Sequence, residues 1–99
     1  MLTDNENRYI EIIEFICSYN QISKEQLITL LKYRDNKYLL FLIFKKYRCT
    51  DKNVILKILN LKSKQSINLN FKKAEERFFI NKEFREKYFT IEEKISTII

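Results

Sequence analysis

Ile58-Leu59-Asn60-Leu61-Lys62-Ser63-Lys64-Gln65-Ser66-Ile67-Asn68-Leu69-Asn70-Phe71 is the stretch on which the reading of the whole chain turns. Apolar and polar residues alternate on both sides of the basic polar tetrad Lys62-Ser63-Lys64-Gln65. A period of two marks a strand with one buried face, and two such runs about a polar turn predict a β-hairpin, here over 54–71. Val54 to Lys62 would also permit a helix, through Ile55, Leu56, Ile58 and Leu59. The strand is preferred because Ile58 to Leu61 leads into a partner run, Ile67 to Phe71, that alternates cleanly. A helical 51–62 would remove or displace the hairpin.

Upstream of the hairpin the period changes to that of helices. Thr3-x-x-Glu6 is a capping box, and a helix is expected from there to about Asn20, with Tyr9, Ile12, Ile13, Ile16 and Cys17 on one face. Ser23-x-x-Gln26 is a second capping box and opens a short helix with Leu27, Ile28, Leu30 and Leu31, ending near Tyr33. Asp35 or Asn36 can cap a third helix to about Arg48, and Thr50-Asp51-Lys52-Asn53 reads as a turn. Downstream, Lys72 to Phe89 returns to helix, with Asn81 a candidate interruption. Thr90-x-x-Glu93, a third capping box, is expected to start a last short helix.

The composition limits the chemistry. Ninety-nine residues make one small domain, and 45% hydrophobic residues supply ample core, with apolar surface to spare for a homodimer. The chain has no His, so neither a Ser-His-Asp nor a Cys-His nucleophile can be built. Two Cys and no His are too few ligands for a structural zinc site. Without Gly, neither a Walker phosphate loop nor a dinucleotide-binding turn takes its usual form. The carboxylates show no metal-ligand spacing, so a non-enzyme without metal or cofactor is expected. Cys17 and Cys49 are expected to be free thiols used in packing. The first fifteen residues carry Asp4, Glu6, Glu11 and Glu14 and lack the basic start of a secretory leader. A cytoplasmic protein of a bacterial, archaeal or virus-infected cell is expected.

Ile, Lys and Asn have A/T-rich codons, and their abundance points to an A/T-rich genome. That discounts the net charge of +6 as a sign of function. The distribution of charge is more telling. The net is −3 over 1–22, +5 over 23–48, +3 over 49–71 and +1 over 72–99. Codon bias alone would not gather the positive charge into the middle of the chain.

From Ser23 to Lys45 the chain resembles a helix-turn-helix unit. Leu27, Ile28 and Leu31 fill the apolar positions of the first helix, Tyr33 the turn, and Tyr38 and Phe41 the second helix. The turn glycine of the family is Lys32 here. The order of elements resembles the winged helix-turn-helix family: mainly α with a small β-hairpin, α-α-α-β-β-α, in one domain over 1–99. The helix-turn-helix spans 23–48, the wing hairpin 54–71 and the C-terminal helices 72–99.

Length and layout look alike for small phage or plasmid repressors and for centromere-binding adaptors of partition systems. The resemblance implies binding to double-stranded DNA as a dimer. By position, Arg34, Asn36 and Lys37 would reach bases or phosphates. Lys45, Lys46 and Arg48 would add phosphate contacts, and Lys62, Ser63, Lys64 and Gln65 would form the wing tip. Against this stands Tyr38 to Phe44, an unbroken apolar run where a groove-lying helix should be polar. The alternative is a small non-catalytic phage or plasmid interaction protein that inhibits a host or defence protein.

Overall fold

The structure, a computed structural model, describes residues 4–21 and 31–98. Among the described residues every regular element is a helix: α1 Asp4–Tyr19, α2 Arg34–Lys46, α3 Lys52–Leu59, α4 Lys64–Ile80 and α5 Lys82–Ser96. No strand occurs among them, so the β-hairpin over 54–71, and with it the winged-helix architecture, is overturned. The first helix of the expected helix-turn-helix lies outside the described residues, apart from its end. Leu31 and Lys32 are helical, and Tyr33 leaves the helical region at φ −90° and ψ 116°. The capping boxes at Thr3 and Ser23 also lie outside the described residues.

Local chemistry explains why the decisive stretch is helical. The Asp51 carboxylate accepts the N–H groups of Asn53 at 2.9 Å and Val54 at 3.3 Å, which starts α3. Ile55 and Leu59, four residues apart, are its buried face. Asn60 stops the helix in the left-handed conformation (φ 53°, ψ 45°), which Asn tolerates better than most residues. The N–H of Leu61 then reaches back to the Leu56 carbonyl at 3.2 Å, a Schellman-type closure. Ser63 starts the next helix by accepting the Ser66 N–H at 3.2 Å.

Of the tetrad 62–65, Lys62 and Ser63 therefore connect two helices, and Lys64 and Gln65 open the second. In α4 the buried residues are Ile67, Asn70 and Ala74, a helical stripe. Leu69, needed for the strand pattern, is 50% exposed. The alternation Ile67, Leu69, Phe71 arises because an exposed leucine sits between two members of a helical face.

The other boundaries shift for similar reasons. Tyr33 occupies the N-cap position of α2 and gives no side-chain cap, while Asp35, expected as a cap, lies in the first turn. Asn81 ends α4 and caps α5, its side-chain oxygen accepting the Phe84 N–H at 2.9 Å. Thr90 starts no helix. It lies inside α5, and its hydroxyl donates to the Glu86 carbonyl one turn back at 3.1 Å.

The core is arranged around α2. Every residue from Tyr38 to Phe44 is buried, and α2 packs against α1, α4 and α5. The α1 face expected from the sequence, Tyr9, Ile12, Ile13, Ile16 and Cys17, is buried as one stripe. Phe41 meets Phe71 edge-on at 5.0 Å between ring centroids, and Tyr9 meets Phe44 at 5.3 Å. The apolar run that argued against a groove-lying helix has its explanation here. The intended recognition helix is the central post of the fold, covered by its own chain.

Candidate anion-binding surface

The burial of α2 leaves only its ends available to a ligand. At the N-terminal end, Arg34 and Lys37 face Lys73 and Arg77 of α4, one helical turn apart from each other. With Tyr38, Glu76 and Ile80 these residues line a concavity of about 400 Å³. Its charges are unequally matched. Arg77 is held by Asp35, with Nε donating to Oδ1 at 2.7 Å, and its guanidinium lies 5.6 Å from the Phe84 ring. Lys37 sits 5.3 Å from the Tyr38 ring centroid. Burial pushes the Lys37 ammonium below its ordinary range, and the charges of Lys73 and Arg34 push it further the same way. Three cations thus converge from two helices, with Glu76 as the carboxylate in the wall. The N-terminus of α2 points its positive dipole end into the same region, without a side-chain cap from Tyr33.

The residues singled out in the sequence do not form one surface. Arg34 and Lys37 belong to the concavity. Asn36 is half-buried and does not line the concavity, and its Oδ1 is buried without a hydrogen-bond partner. Lys45, Lys46 and Arg48 lie at or beyond the other end of this 13-residue helix, about 20 Å away. Lys45 pairs with Glu75, and with Lys46, Leu42, Phe78 and Tyr88 it borders an apolar cleft of about 240 Å³. Arg48 is exposed and occupies the left-handed region at φ 60°. Lys62, Ser63, Lys64 and Gln65 are exposed on the α3–α4 connection and the first turn of α4, with Ser63 committed to capping.

Lys73 and Arg77 were missed. Their i, i+4 spacing is legible as a basic stripe in the helix expected from Lys72, but the winged-helix resemblance placed no contact beyond Gln65.

Cys17 and Cys49 are free and buried, and burial pushes both thiols above their ordinary range. Among the described residues no group of three or more Cys, Asp or Glu side chains is placed to hold a metal ion. None of the helices described is long and apolar enough to cross a membrane. Compared with protein-family models, curated proteins and solved structures, the chain matches none.

Proposed function

We propose that this chain is a non-catalytic DNA-binding protein of a mobile element or its A/T-rich host, acting as a repressor or partition adaptor. It grips the phosphate backbone of duplex DNA in the concavity between the start of α2 and α4. The observation that carries this reading is the convergence of Arg34, Lys37 and Lys73 on one concavity, where burial and the two neighbouring cations disfavour the charge on Lys37. A phosphodiester supplies the missing negative charge, and neutralising it releases counterions. Backbone contact positions a duplex without reading its sequence. Arg34 is the member of the cluster whose geometry suits a guanine edge, so selectivity is expected to be modest.

Binding of a fluorescent duplex, followed by anisotropy over a salt series, tests this. Three phosphate contacts predict a slope of log affinity against log salt near −2.7, from about −0.9 per contact. Lys73→Ala should weaken binding and flatten that slope by about 1, while Lys62→Ala with Lys64→Ala, in the former wing tip, should leave both nearly unchanged. Equal losses from the two sets would refute the concavity as the binding surface. No duplex binding at low salt would return the reading to a protein-inhibiting interaction module.

A further inference from the structure

On the opposite side of α4 from the basic stripe the surface is aromatic. Phe78 is the floor of the apolar cleft, and two outward rings rest on it edge-on, Phe79 at 5.8 Å and Phe89 at 5.6 Å between centroids. Phe79 is 76% exposed and Phe89 53%. Together they leave on the order of 300 Å² of apolar side chain in water, a patch size that on a small protein marks an interaction surface.

We propose that this patch binds a second copy of the same chain about a two-fold axis, with Phe79 of each copy entering the apolar cleft of the other. Three observations favour a second copy over any other occupant. Plug and cleft are neighbours, because Phe79 follows Phe78 in sequence. That closeness is what reciprocal exchange about a two-fold axis requires.

The charges are also self-complementary. The cleft carries Lys46 at its edge, beside Lys45 already paired with Glu75, whereas Phe89 has the exposed carboxylate of Glu93 four residues on along its own helix face. A two-fold contact sets Glu93 of each copy against Lys46 of the other.

The area is the third argument. Two patches bury about 600 Å² of apolar side chain, which with a polar rim falls in the range of weak, reversible pairs below about 1,200 Å².

Sedimentation equilibrium of the full chain without DNA, from about 1 μM to about 200 μM, reads this directly. A reversible monomer–dimer equilibrium is expected. Phe79→Glu should weaken it at least tenfold with the helical circular dichroism unchanged, since the side chain is outside the core. Leu69→Glu, a large exposed apolar residue elsewhere on α4, should leave it intact. Lys46→Glu should weaken association, and Glu93→Lys in the same chain should recover part of the loss. A monomer at every concentration overturns the proposal. So does a dimer that Phe79→Glu leaves intact, that Leu69→Glu breaks, or in which the charge exchange recovers nothing. The absence of DNA makes these outcomes independent of the duplex-binding experiment.

Discussion

Lys37 is where burial and charge act against the residue's own ionisation. Its ammonium is disfavoured by desolvation, then by Lys73 and Arg34, so its folded-state pKa lies below the ordinary 10.5. Between the lowered value and the ordinary one, the unfolded chain binds more protons than the folded chain. Stability contributed by this group therefore rises with pH across that window. A bound phosphate favours the charged form, so binding takes up a proton wherever Lys37 is neutral. Duplex affinity is expected to fall as pH rises through the lowered pKa, and Lys37→Arg should abolish the fall. Anisotropy titrations at a series of pH values check it.

Tyr9 illustrates a different kind of residue-level dependence. Its side chain is 1% exposed, and its hydroxyl accepts the N–H of Asp51 at 2.9 Å, across 42 residues of sequence. Tyr9→Phe keeps the ring and removes the acceptor. Urea denaturation should show a loss of about 1–2 kcal/mol. That Tyr9 is buried was legible from its place in the α1 stripe. Its hydrogen-bond partner was not, because the bond joins two segments whose proximity only the packed fold creates.

At the scale of elements, the same side-chain pattern supported two periods, and the caps decided between them. Asp51 and Ser63 were both visible in the sequence, but one was assigned to a turn and the other to a hairpin tip. Neither has Glu or Gln three residues on, the feature that made Thr3, Ser23 and Thr90 stand out. Thr90 has that feature and caps nothing among the described elements, because Phe84, Tyr88, Ile91 and Ile95 form one uninterrupted stripe through it.

Two mutant pairs express the difference. Asn81→Ala should cost about 1 kcal/mol through the lost cap of α5. Thr90→Ala, inside the helix, should be neutral or slightly stabilising. The fold read from the hairpin would reverse that order. Likewise Ile67→Ala should cost about 2–5 kcal/mol and Leu69→Ala well under 1, whereas a strand with 67, 69 and 71 inward would lose similar amounts at both. Thermal unfolding of the four variants separates the alternatives.

For the whole molecule, composition and charge told more about surface than about topology. The radius of gyration, 12.6 Å, is close to that of a packed chain of about 100 residues. The concentration of positive charge in the middle of the chain was visible too. Its division among two ends of α2 and the α3–α4 connection was not, since it depends on a helix whose centre faces no solvent. Lys73 and Arg77 complete the basic concavity from a segment whose net charge is only +1, where a segment average hides a basic stripe among six carboxylates.

The burial of α2 also has a consequence in time. An amide proton at Leu39, Leu40, Phe41, Ile43 or Phe44 is hydrogen-bonded within a helix whose side chains there have no measurable solvent contact. α1, α4 and α5 must all separate from α2 before water can reach it. Hydrogen exchange at these positions should therefore proceed only through complete unfolding, with one common opening free energy. The eight-residue α3, with two buried side chains, should exchange much earlier through local opening. In a deuterium-exchange time course followed residue by residue, the helix first read as the part that meets DNA would be the last to meet the solvent.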